Sequence, residues 1–266
     1  MRRPRAGVTV AIVTLVAIVA MAAVGPVLYR VSPAAMDLAV ANSGPSAAHL
    51  LGADESGRDV LARLLSGAQV SLTVGVCAML LAVALGTLVG TIAGVAGGWV
   101  DSLLMRLTDA ALAIPALFVV ILVLTFFGPS VTTLSCAIAA TSWMGAARII
   151  RAEVLVLREQ LYVEAARALG VPFGTILRRH MLPQVLPTII VVSTVGVPSA
   201  ILTESALSFL GLGVQPPTPS WGNMLSSAQT YLISQPLLAL YPGVLIVITV
   251  LAINTLSETV RTGRRE

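Results

Sequence analysis

Few side chains in this chain are equipped for covalent chemistry. All 16 basic residues are Arg. Without Lys there is no Walker A loop, no kinase-type phosphate clamp and no Schiff base. The two histidines, His49 and His180, lie far apart and outside any HExxH pattern, so neither a catalytic site nor a metal site is expected. The polar chemistry gathers in one place. Residues 148–180 hold Arg148, Arg151, Glu153, Arg158, Glu159, Glu164, Arg167, Arg178 and Arg179. Mixed charges at that density suit ion pairing with another protein, or simply a solvated loop.

The elements that must carry this segment are apolar. The chain is 57% hydrophobic and 11% charged, against roughly 25% charged in soluble domains, so it reads as an all-α integral membrane protein. At about 20 helical residues per crossing, six spans are expected, at 7–29, 70–97, 103–127, 129–148, 186–212 and 236–258. The first is read as an uncleaved anchor rather than a signal peptide, because its apolar run is long. Gly86 and Gly90 form a GxxxG pair suited to close helix packing. Cys77 and Cys136 are expected to be buried apolar side chains. Pro115 and Pro198 are expected to bend their spans. The division expected is 1–69 (tail, first span, external segment) and 70–266 (five spans with an inner loop at 149–185).

Orientation follows from Arg. With both termini inside, 13 of the 16 fall on the cytoplasmic side, and only Arg30, Arg58 and Arg63 lie outside. The basic excess is read as topology and not as nucleic-acid binding. In the outer 30–69 segment, Val60, Leu61, Leu64 and Leu65 predict a short interfacial helix. Arg58, Asp59 and Arg63 would face away, and Gly67 would end it. Trp221 suits an interfacial anchor. On the inner side, Val154, Leu157, Leu161, Ala165 and Leu169 recur at helical spacing. Gly170 offers a left-handed cap and Pro172 stops the helix. A second short helix is expected from Gly174 to Met181, before Pro183 and Pro187. An amphipathic, sharply turned unit of this kind fits a groove on a partner.

Glu164-Ala165-Ala166, Gly170 and then His180-Met181-Leu182-Pro183 resemble the EAA signature of permease subunits in ABC importers. The spacing is intact, and His180 stands where Ile is usual. LGADESGRDVLARLLSGAQVSL (51–72), MRLTDAALAIPALF (105–118) and ESALSFLGLGVQPPTPSWGNML (204–225) are similar to segments of the dipeptide, oligopeptide and nickel permeases. The chain most resembles their dipeptide-permease C type, over roughly 48–258. The resemblance implies a type I ABC importer permease fold in a bacterial cytoplasmic membrane. It also implies pairing with a second permease, two ATP-binding subunits and an extracytoplasmic substrate-binding protein. ATP and Mg would be held by the ATPase subunits, with no cofactor in this chain.

In that family the EAA element is a coupling helix, which assigns ATPase coupling to Glu164, Ala165, Ala166, Arg167, Gly170 and Pro183. An intrahelical Glu164–Arg167 pair is the plainer alternative. Glu204, Pro198, Ser208 and Trp221 are candidates for the pathway or its gate. For Glu204, a bond to a neighbouring helix is as good a reading. Arg106 and Asp109, at i and i+3, are read as a local structural pair. The implied cargo is di- or oligopeptide. Nickel or haem uptake by the same machinery, or a gradient-driven carrier, are the alternatives.

Overall fold

A computed structural model describes residues 5–262. The terminal Arg2, Arg3, Arg264 and Arg265 of the orientation argument lie outside that range. Among the described residues the chain is helical, as expected. Its helices are α1 (Arg5–Leu28), α2 (Val60–Ala96), α3 (Gly98–Leu112), α4 (Ala116–Phe127), α5 (Val131–Arg158), α6 (Leu161–Ala168), α7 (Phe173–Ile176), α8 (Leu182–Phe209), α9 (Trp221–Ala228) and α10 (Leu237–Thr262). Five helical segments are long and apolar enough to cross a membrane. The sixth span is a broken pair: α3 and α4 meet at 83°, with Pro115 at the start of α4. Proline cannot continue α3 past Ala113, which is the reason for the break.

The central contact is α2 against α5. Gly86, Gly90 and Gly94 bring the backbones together: a Cβ on Gly90 would sit 2.4 Å from the Ala147 carbonyl oxygen. This is the small-residue packing expected of the GxxxG pair. At the far end of α5, Arg158 Nη1 donates to the Gly94 and Val95 carbonyls at 3.5 and 3.4 Å, capping the last turn of α2. α1 packs against α10 and α2. Cys77 and Cys136 are exposed rather than buried. They point out of the bundle from apolar helices.

The short helix expected to end at Gly67 is instead the first turns of α2, so the 69/70 division falls inside a helix. Gly67 lies against the start of α9, where a Cβ would come 3.3 Å from the Ser220 carbonyl carbon. Arg58, Asp59 and Arg63 do not face away; all three are buried. Asp59 caps α2 through the Ala62 amide at 2.7 Å. Its other carboxyl oxygen takes the Tyr29 hydroxyl and His49 Nδ1, both at 2.9 Å. Burial, and then this Asp59 contact, push the Tyr29 phenol above its ordinary range. Asp54 receives Arg58 Nε at 2.9 Å and Arg63 Nε at 3.3 Å. Buried charge of this kind survives only when paired, and the pairing closes the 30–59 segment onto the end of α2.

α8 contains Pro198, which has no N–H for the Thr194 carbonyl one turn earlier. Ser257 of α10 brings a donor there: its Oγ lies 3.0 Å from the Thr194 oxygen and 2.8 Å from the Ile253 oxygen of its own helix, which share its one proton. Removing the hydroxyl by Ser257→Ala is expected to destabilise the bundle by about 1 kcal/mol. A lowered thermal midpoint of the detergent-solubilised protein is the measurement, and an unchanged midpoint would refute it.

Candidate functional site: an exposed helix–turn element and a groove

At the α6 end of the bundle, α5 stops at Arg158, and Glu159–Gln160 separates it from α6. The single amphipathic helix expected through residue 169 is therefore two helices. The expected stripe holds for Val154 and Leu157, which are buried, but α6 turns a different face inward. Val163 is fully buried against Ile150, Val154, Ile176 and Met181. Leu161 and Leu169 are 81% and 83% exposed. No Gly or Pro marks the break, so the continued apolar spacing conceals it.

Gly170 has φ +77°. Its N–H bonds the Arg167 carbonyl at 2.9 Å, and Val171 N–H bonds that of Ala166 at 3.1 Å. These two bonds make a Schellman turn, with Val171 and Ala166 packed in the same cluster. α7 then leads through a π-helical turn, Leu177–Met181, straight into α8. Pro183 does not end a helix; it sits in the first turn of α8, directly after the π-helical turn.

The Glu164–Arg167 pair does not form. Arg167 lies over the Phe173 ring, 5.5 Å from its centroid. Glu164 is exposed and has no partner among the described residues. With Ala165, Arg167, Ala168 and Leu169 also exposed, α6 presents a carboxylate between apolar side chains. Asp109 pairs with Arg148 of α5 rather than with Arg106, and Asp101 takes Arg151 Nε and Nη2 at 2.5 Å. α5 crosses α3 there and brings cations nearer than the helix's own Arg106.

The four pathway candidates all lie inside protein. Trp221 is fully buried, not interfacial. Its indole N–H donates to the Leu64 carbonyl at 3.3 Å. Glu204 is also fully buried. Its two oxygens each end a short chain of donors. Trp221 N–H reaches Ser71 Oγ at 3.2 Å, and Ser71 reaches Glu204 Oε2 at 2.9 Å. Val214 N–H reaches Ser208 Oγ at 3.1 Å, and Ser208 reaches Glu204 Oε1 at 2.8 Å. Ser205 adds a third hydroxyl at 3.3 Å. The carboxyl group thus ties α2, α8 and the 210–221 loop together, which is the helix-bonding role of the two open for Glu204. Pro198 is buried inside α8.

The open space lies elsewhere. A groove of about 900 Å3 runs between α5 and α8, with Met79 of α2 in its wall. Ser142, Gly145, Ser199 and Thr203 line it, with Glu153 of α5 and Arg261 of α10 as its charged lining residues. The signal for it in the sequence is faint: small and hydroxyl residues at i, i+3 and i+4 within apolar helices.

Comparison with known proteins accounts for the fold. Residues 86–262 match the family of binding-protein-dependent transport system inner membrane components. The glutathione transport system permease protein GsiD of Pectobacterium atrosepticum is 40% identical over 220 residues, covering 83% of this chain and 73% of that protein. A protein of Brucella ovis whose name is that of a peptide permease is 40% identical over 238 residues, covering 89% of this chain and 79% of its own. Among solved structures, an inward-facing form of the MetNI methionine ABC transporter superposes with a TM-score of 0.63 at 17% identity, over 75% of this chain and 95% of that one. That likeness speaks for the type I importer fold. With the family match over two-thirds of its length, this chain belongs to the binding-protein-dependent transport system inner membrane components, the permease subunits of ABC importers.

Proposed function

We propose that the chain is one of two permeases of an importer for di- and oligopeptides, glutathione-sized solutes included. It sits in a bacterial cytoplasmic membrane with both termini inside. A second permease completes the pathway. Two ATPase subunits hold ATP and Mg and perform all hydrolysis, and an external binding protein delivers the solute. The observation that carries this reading is Glu164. It is an unpartnered carboxylate on an exposed helix whose other face is fixed to the bundle by Val163 and the Gly170 turn. A surface ion pair alone contributes little. A carboxylate enclosed in an apolar cleft beside an Arg contributes more, and it transmits motion because the two subunits' closed and open states differ in that contact. The names of the relatives support a peptide cargo.

The test is uptake of labelled di- and oligopeptides, with nickel and haem in parallel, by proteoliposomes holding the chain with candidate permease, ATPase and binding-protein partners. Peptide uptake is expected to require ATP. Glu164→Ala is expected to reduce it at least tenfold with the complex still assembled. Uptake indifferent to ATP or to Glu164 would defeat the reading.

A further inference from the structure

The groove contains a glycine that nothing in this chain explains. Gly145 lies in the interior of α5, where glycine is among the least favourable residues. Gly86, Gly90 and Gly94 have neighbours that exclude a side chain. Gly196, also on the groove, makes room for Met79, whose Cε would lie 2.0 Å from an added Cβ. At Gly145 an added Cβ would meet nothing within 4 Å. Space at that point is therefore kept for something outside the chain.

Four hydroxyl side chains line the groove, Ser142, Thr188, Ser199 and Thr203. Thr141, Ser193 and Thr203 satisfy themselves on carbonyls of their own helices, as membrane hydroxyls do. The Ser142 and Ser199 side chains also line the groove, and their hydroxyl oxygens have no hydrogen-bond partner among the described residues. Ser142 and Gly145, at i and i+3, share a face of α5. A free hydroxyl both donates and accepts, which matches the N–H and C=O of a peptide unit whatever its side chains. From Ser142 to Ile149 the α5 wall of the groove is uncharged; Glu153 of α5 and Arg261 of α10 are its charged lining residues. Neutral contacts hold a solute weakly enough to let it leave.

We infer that Gly145 sets the bore of the solute path, and that Ser142 and Ser199 beside it contact the backbone amides of a passing peptide. The inference rests on the proposed function, in which this groove is the chain's half of the pathway. Side-chain bulk at 145 then decides the longest peptide admitted, while α6 decides only whether ATP drives it.

The experiment uses the assembled complex in proteoliposomes and a series of labelled peptides from two to five residues. For Gly145→Leu, the ratio of pentapeptide to dipeptide uptake is expected to fall at least tenfold. Gly145→Ala should lower it less, and Ser142→Ala with Ser199→Ala should lower uptake of all lengths. An unchanged ratio in Gly145→Leu, whether total uptake is normal or reduced, overturns the inference. Loss of the second permease from purified Gly145→Leu, with Gly145→Ala assembling normally, also overturns it, because Gly145 is then a helix-packing site between subunits. If the wild-type complex takes up no peptide, the proposed function falls and takes this inference with it. An intact, ATP-dependent wild type with no length effect removes the inference alone.

Discussion

Gly170→Val is expected to abolish ATP-driven uptake, by a hundredfold or more, in a chain that still inserts and assembles with its second permease. Space is not the cause, since a Cβ at Gly170 meets nothing within 4 Å. The cause is backbone: φ is +77°, a region that costs a β-branched residue about 1–3 kcal/mol. If the turn relaxes, the Ala166–Val171 and Arg167–Gly170 bonds are lost, Val163 leaves its seat, and Glu164 no longer stands in a fixed place. The spans have their own packing and do not depend on the turn. A graded series isolates the effect. Gly170→Asn should keep most activity, because Asn tolerates left-handed backbone, and Gly170→Ala should fall between. Wild-type uptake by the Val variant would show that the turn does not serve coupling.

Glu204→Ala is expected to be the most destabilising change among the buried polar groups, by roughly 3 kcal/mol or more. It leaves the hydroxyls of Ser71, Ser205 and Ser208 without an acceptor, and through them loosens Trp221 and Val214. Glu204→Gln keeps one acceptor oxygen and should cost about 1 kcal/mol. Thermal midpoints of the solubilised protein, with protease sensitivity of the 210–220 loop, measure both. The order Ala worse than Gln, with uptake following stability, marks a structural knot. A Gln variant of normal stability with altered solute preference would return Glu204 to the pathway.

Why the spans were legible and the knot was not comes down to range. Apolar runs, the Gly86–Gly90 spacing and the Gly170–Pro172 stop are local signals, and each is found in the fold. The burial of Arg63 depends on Asp54, and that of Trp221 on Ser71 and Gly67. Nothing near Arg63 or Trp221 in sequence announces those partners, so each was read as a surface residue. The α5–α6 break has no breaker residue at Glu159–Gln160. It is forced because Val163, rather than Leu161, reaches the cluster around Ile150 and Met181. The EAA spacing located the exposed element correctly even though its inward face was misread.

The unbroken passage from α7 into α8 has a mechanical corollary. The column from Phe173 to Phe209 is 37 residues long, about 55 Å at helical rise. Its α7 end carries the Gly170 turn, and about 46 Å along it at helical rise stands Glu204, held to α2 and to the 210–221 loop through Ser71 and Ser208. A displacement of the turn therefore meets the interior of the bundle through continuous backbone, with no loop between to absorb it.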